Sequence, residues 1–118
     1  MKKLALAGLL GLVSLSVVLA GDVTGTWALE IQMANGKGSP TATFKQDGES
    51  LTGHYAGRFG ESEISGTVKG NQIDFVVHVM MNGNKTDIHY VGTLESDGTL
   101  KGTVTGGPAD GTWIGKKK

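Results

Sequence analysis

The sequence contains no cysteine and only two prolines among its 118 residues. Without cysteine the chain has no disulfide, no thiolate nucleophile and no thiolate ligand for a metal. Its stability must therefore come from burial of apolar side chains and from backbone pairing. The 11 basic and 11 acidic residues balance, and no basic stripe is present, so nucleic acid is not expected as a partner.

Motifs of common enzyme classes are also missing. The chain has no phosphate-binding loop, no dinucleotide fingerprint and no Gly-x-Ser-x-Gly, and no motif places a serine beside a histidine. Glu61 and Glu63 lie on one side of a strand, whereas glycoside hydrolysis requires two carboxyl groups that face each other across a cleft. We therefore expect a protein that is not an enzyme and that needs no cofactor.

One long apolar run occurs, and it lies at the N terminus. Lys2 and Lys3 precede the run, which spans residues 4–18, and Val18-Leu19-Ala20 supplies the cleavage positions, ending on the small Ala20. This pattern predicts a signal peptide at residues 1–20. A membrane anchor is the alternative, but the run is shorter than the roughly 20 residues of a membrane span. We expect a single domain at residues 21–118, periplasmic or secreted, with no membrane span after cleavage.

Glycine, with 20 residues, is the abundant amino acid. Between the glycines, apolar and polar residues alternate with a period of two, which is typical of half-buried strands. No segment after the signal shows a helical period. The alternation predicts strands at residues 25–33, 41–46, 50–56, 63–69, 72–80, 86–94, 99–105 and 111–116.

The predicted connections are of two kinds. Asp47-Gly48, Gly70-Asn71 and Asp97-Gly98 are typical of tight hairpin turns. Longer connections are predicted at residues 34–40, 57–62, 81–85 and 106–110. In an up-and-down meander alternate connections lie at the same end, so the pattern predicts a cup with one pinched end and one end ringed by longer loops.

The first and last strands carry the same short motif. Gly25-Thr26-Trp27 opens the first strand, and Gly111-Thr112-Trp113 opens the last. The repetition suggests that these two strands are neighbours in a closed sheet. The predicted fold is all-β, a single eight-stranded antiparallel up-and-down barrel, with a two-sheet sandwich as the alternative. Inward glycines would permit the strong coiling that a small barrel needs, and they are Gly53, Gly66, Gly92 and Gly102.

Two patches resemble the calycin group, which comprises the lipocalins and the avidin family. Residues 24–27 (Thr-Gly-Thr-Trp) are similar to the first strand of avidins, and residues 50–55 (Ser-Leu-Thr-Gly-His-Tyr) are similar to the third. The resemblance implies a calycin-like barrel and a ligand-facing role for Tyr55. Lipocalins also place a basic side chain over the first tryptophan, and Lys116 is the residue that would do so here.

The biotin site of avidins is not matched. Leu29 stands where an avidin offers an asparagine to the ligand, and Gly57 stands where a hydroxyl would be expected. The resemblance therefore indicates architecture and does not indicate biotin.

A small apolar or amphipathic molecule is the ligand that such a barrel is expected to take at its open end. Trp27, Tyr55 and Tyr90 are the predicted contacts inside the barrel, and Arg58 and Phe59 are the predicted contacts at the mouth. Arg58, the only arginine, could hold a carboxylate or phosphate. Alternatively, Arg58 is simply exposed and Phe59 closes the core.

Histidines and carboxylates recur on the outward side of two neighbouring strands. His78, Asp87 and His89, with Asp74 nearby, form the candidate metal site, and Zn²⁺ or Cu²⁺ suits these ligands. The alternative is a solvated polar face with ordinary cross-strand pairs.

Val76 and Val91 lie on the same outward side. They predict a contact surface for a homodimer or for a protein partner, although a half-buried strand explains them equally well. The second functional hypothesis follows from this surface. In it the chain is a protein-interaction module of the cell envelope, an inhibitor or an assembly factor, with a filled barrel core.

Overall fold

The computed structural model describes residues 22–34, 36–57, 60–106 and 110–118. The predicted signal peptide at residues 1–20 lies outside the described residues, as do Arg58 and Phe59. Within the described part of the chain, no helix is long and apolar enough to cross a membrane.

Nine strands form the described structure. They are β1 (Gly25–Met33), β2 (Gly36–Gly38), β3 (Thr41–Asp47), β4 (Ser50–Gly57), β5 (Gly60–Lys69), β6 (Gln72–Met81), β7 (Asn84–Leu94), β8 (Leu100–Thr105) and β9 (Gly111–Lys117). Eight of them coincide within a few residues with the predicted strands.

The sheet closes on itself. Strands β3 to β9 follow one another in sequence order, β1 pairs with β3, and β1 also pairs with β9. The closing ladder runs from Trp27 opposite Lys117 to Met33 opposite Gly111, and all pairings are antiparallel. The prediction of an eight-stranded up-and-down barrel is confirmed, with β2 as one additional strand.

The additional strand arises because the second strand of the barrel is broken into two segments, β2 and β3, which both pair with β1. After β1 the chain turns back and pairs Gly36–Gly38 with residues 31–33. Pro40 then separates β2 from β3, because proline has no N–H to donate to a ladder. The Pro40 carbonyl still accepts a 2.9 Å hydrogen bond from the N–H of Leu29, which keeps the strand aligned. The sequence analysis missed β2 because Gly-Lys-Gly carries no apolar alternation.

Two of the predicted longer connections are short. Strands β4 and β5 stay paired as far as Gly57 opposite Gly60, and β6 and β7 as far as Met81 opposite Asn84. The turn between β6 and β7 is therefore Asn82-Gly83, and both residues have positive φ, as a tight hairpin requires. The prediction of longer loops at residues 57–62 and 81–85 was wrong, because polar strand ends were read as loop.

At the end of the barrel that was predicted to carry only tight turns, one connection differs from the prediction. The turns after Asp47 and Lys69 are two-residue hairpins, as predicted. Asp97-Gly98, however, lies within a five-residue connection between Leu94 and Leu100. There the N–H of Glu95 donates to the carbonyl of Thr99 at 2.8 Å, so the connection is compact although it is not a tight hairpin.

The core lies inside the barrel and follows the alternation of the strands. Aromatic rings fill its middle: Phe75 stacks on Tyr90 with ring centroids 4.7 Å apart, and Phe44 and Trp113 meet Phe75 edge-on. Such offset and edge-to-face pairs stabilise a core beyond the area that they bury. The middle of the barrel, which we call the waist, is therefore occupied by the side chains of Phe44, Phe75, Tyr90 and Trp113.

Inward glycines allow neighbouring strands to approach the aromatic rings. A Cβ atom at Gly66 would lie 2.6 Å from the Cα of Phe75, and one at Gly92 would lie 2.8 Å from the Trp113 ring. Both sites therefore exclude any side chain, and the glycines set the coiling of the barrel.

We expect Gly66→Ala to lower the free energy of unfolding by about 2–3 kcal/mol, because the added methyl group overpacks the backbone of β6. Gly38→Ala is the matched control: the nearest atom to a Cβ there is 4.0 Å away, and Gly38 has no positive φ. Urea unfolding followed by tryptophan fluorescence measures both. Equal stability of the two variants would contradict the packing described for Gly66.

Candidate functional site

The two ends of the barrel differ in how they are closed. We call the end that holds the first residues of β1 and the last of β9 the base, and the end that holds Met33 and the Asn82-Gly83 turn the mouth.

The base is closed by the residues that precede β1. Val23 is buried, and its carbonyl accepts a 2.8 Å hydrogen bond from the indole N–H of Trp27. The N–H of Val23 donates to Gln46 at 2.9 Å, and the N–H of Gln46 donates to the Thr24 hydroxyl at 3.0 Å. Because these bonds hold the segment across the barrel, the base is not an entrance for a ligand.

A basic side chain does lie beside the first tryptophan, but it is not Lys116. Lys117 is the residue opposite Trp27 in the closing ladder, whereas Lys116 is opposite Ala28 and points outward. The side chain of Lys117 also passes close over Gly25. The expectation for Lys116 was wrong by one position, and a shift of one residue moves a side chain to the other face of a strand.

The predicted interior contacts do not all meet. Trp27, Tyr55 and Tyr90 are each buried, with 2%, 6% and 1% of their surface exposed. The hydroxyls of Tyr55 and Tyr90 form a 3.0 Å hydrogen bond, and their ring centroids are 6.1 Å apart. Trp27 instead directs its polar edge to Val23 at the base. The structure therefore brings the two tyrosines together, whereas Trp27 is bonded to Val23 at the base.

The tyrosine pair has hydrogen-bonding capacity left over. Two hydroxyls carry two donors, and only one of these is used between Tyr55 and Tyr90. Within the described residues the second donor has no acceptor. Buried polar donors normally have an acceptor, so the pair has the hydrogen-bonding capacity for one further acceptor group.

Ser62 adds a third hydroxyl beside the pair. It lies opposite Tyr55 on β5, is 9% exposed, and has no hydrogen-bond partner in the described part of the chain. Towards the mouth, the partly buried Met33 and Met81 pack against the core. The mouth therefore combines flexible apolar side chains with three inward hydroxyls.

Ser62 escaped the sequence analysis, and its signal was present. The predicted strand began at Glu63, so the preceding residue was assigned to a loop. Extending the alternation of Ile64 and Val68 back by one step places Ser62 on the inward face.

The outward histidines form two separate pairs. His78 Nδ1 lies 2.9 Å from a carboxylate oxygen of Asp87, and His89 Nε2 lies 2.5 Å from a carboxylate oxygen of Asp74. No group of three or more histidine, aspartate and glutamate side chains in the described residues is placed to hold a metal ion. The structure thus gives each histidine its own carboxylate and does not gather His78, Asp87 and His89 around one site.

The exposed apolar side chains are dispersed. Met80 is 56% exposed near the mouth, Ile114 is 39% exposed and Val91 is 38% exposed. Thr103 lies next to Val91 in the ladder and Lys101 lies next to Ile114, so polar side chains separate the two. Val76, across from Ser65, is half-buried.

A shallow depression of about 240 Å³ lies elsewhere, where β1, β2 and β9 adjoin. Its lining consists of Glu30, Ile31, Gln32, Lys37, Gly38, Ser39, Thr112, Trp113 and Ile114. This depression is mixed in polarity and does not include the predicted ligand contacts.

Comparisons with known proteins leave the family open. No protein-family model matches the chain, and no curated protein matches it.

Burial also affects the ionisation of the tyrosine pair. Desolvation raises the pKa of Tyr90, and the neighbouring Tyr55 hydroxyl raises it further. Desolvation likewise raises the pKa of Tyr55, partly offset by the hydrogen bond from Tyr90. Both side chains therefore remain neutral donors and acceptors inside the barrel.

We expect the folded protein to resist tyrosine ionisation at the ordinary tyrosine pKa of 10.0. Above this pH the unfolded chain loses protons that the folded chain keeps, so the free energy of unfolding falls as the pH rises. Titration of tyrosinate absorbance with and without urea measures the effect, and the chain has only two tyrosines. Ionisation of either tyrosine near pH 10.0 in the folded protein would contradict the buried pair.

Proposed function

We propose that the chain is a periplasmic or secreted, non-enzymatic, calycin-like barrel that binds a small apolar or amphipathic molecule at its mouth. The observation that carries the proposal is the buried Tyr55–Tyr90 hydroxyl pair, which keeps one donor without an acceptor among the described residues. Small-molecule sites typically combine an apolar lining with a few placed polar groups.

The surroundings of the pair define what fits. Ser62 lies opposite Tyr55, and Phe75 and Val104 lie opposite Tyr90 on the two neighbouring strands; all of these side chains are uncharged. A charged group would lose its hydration there without gaining a counter-charge from these residues. The body of the ligand is therefore apolar, and one acceptor group on it would take the hydrogen bond of the tyrosine pair.

The mouth is the side from which such a molecule would enter. The base is occupied by Val23 and Trp27, and the aromatic rings fill the waist. At the mouth, Met33 and Met81 are only partly buried, and methionine side chains adapt readily to different apolar shapes.

The first test is native mass spectrometry of the protein isolated from the envelope or medium of its own host. We expect a retained small-molecule mass. Tyr55→Phe keeps the ring and removes the hydroxyl, so it should weaken retention about three- to tenfold, as expected for the loss of one hydrogen bond.

Thr52→Val is the matched control, because it removes a hydroxyl from the outward face of the same strand. It should retain the ligand fully. A protein that carries no small molecule would contradict the proposal, and a mass shifted only by a partner protein would support the interaction module instead.

A further inference from the structure

Three polar side chains on the outer face of β5, β6 and β7 form a continuous hydrogen-bonded chain. Ser65 Oγ lies 3.0 Å from His78 Nε2, and His78 Nδ1 lies 2.9 Å from Asp87 Oδ1. The order of the atoms is serine oxygen, both ring nitrogens of one histidine, then carboxylate. This is the connectivity through which a histidine activates a serine as a nucleophile.

The direction of the hydrogen bonds follows from the chemistry of the three groups. The ionised Asp87 carboxylate only accepts, so the proton of a neutral His78 ring resides on Nδ1. His78 Nε2 is then the acceptor, and the hydroxyl of Ser65 donates to it. The histidine is thereby held in the tautomer that can remove the proton of Ser65.

The three hydrogen-bonded side chains of Ser65, His78 and Asp87 are accessible from solvent. The side chains of His78 and Asp87 are 47% and 66% exposed, and Ser65 is exposed. Glu63 lies opposite His78 in the ladder between β5 and β6. Half-buried Val76 lies directly opposite Ser65 and offers an apolar surface for a small acyl group.

We propose that Ser65 is a nucleophilic serine that accepts an acyl group from a small activated ester. The Ser65 Oγ–acyl bond forms, the bond between the acyl carbon and the leaving alkoxide or aryloxide breaks, and the Ser65 proton passes through His78 Nε2 to the leaving group. Asp87 is a positioning residue, since it acts on Ser65 only through His78.

The same geometry limits the reaction. Ser65 lies in the middle of a strand whose backbone is paired with Thr52 on one side and Val76 on the other. No helix N-terminus or turn in the described residues presents free N–H groups to an oxyanion beside Ser65. The acyl group is therefore accepted slowly and once per chain, as a covalent modification, rather than turned over rapidly.

The test uses p-nitrophenyl acetate with the folded protein, and peptide mass spectrometry locates the acetyl group. Cleavage by hydroxylamine distinguishes an ester on serine from an amide on lysine. We expect an acetyl ester on Ser65, with Ser50 as the internal control, because Ser50 is an exposed strand serine placed between Asp47 and Thr67 with no histidine opposite.

Substitutions at Ser65, His78 and Asp87 test the role of each residue separately. Ser65→Ala should abolish the ester, and His78→Gln should slow its formation by at least about tenfold, as expected for loss of a general base. Asp87→Asn should slow it about threefold, and Asp87→Glu should restore the rate, a rescue that a merely structural role would not give. Equal acetylation of Ser50 and Ser65, or an unchanged rate in His78→Gln, would overturn the proposal.

Discussion

Closure of the sheet through pairing of β1 with β9 is the constraint on which the rest of the structure depends. The ladder from Trp27–Lys117 to Met33–Gly111 joins the first and last of the described strands and removes the free sheet edges that β1 and β9 would otherwise present. It also fixes which face of every strand points inward. The aromatic waist, the tyrosine pair and the outward histidine pairs follow from the registers of the ladders that this closure joins into one barrel.

Closure also decides where a ligand could bind. Val23 and Trp27 occupy the base, and Phe75, Tyr90 and Trp113 fill the waist. Among the described residues, the mouth combines inward hydroxyls with partly buried methionines. The interior and the exterior thus offer different chemistry: neutral hydroxyls in apolar surroundings inside, and histidine–carboxylate pairs in contact with water outside.

The period-two alternation was sufficient to predict eight strands and their inward faces, because burial of one face is a local property of each strand. It could not predict β2, whose Gly-Lys-Gly carries no pattern, or the strand ends near Gly60 and Met81, where glycine and polar residues interrupt the apolar alternation. The Tyr55–Tyr90 bond joins strands that are not consecutive in sequence, and the Ser65–His78 contact, although it lies within one hairpin, depends on the exact register of β5 and β6. Each residue was visible in the sequence, but its partner was not.

Amide hydrogen exchange along β9 tests the central claim most directly. In a closed barrel the consecutive N–H groups of Gly111–Gly115, where β9 pairs with both neighbours, bond alternately to β8 and β1, so we predict protection of successive amides along this segment. If β9 were the edge of an open sheet or sandwich, every second amide would exchange at the rate of a solvent-exposed group. That alternating pattern would contradict closure, and with it the account of the base, the waist and the mouth.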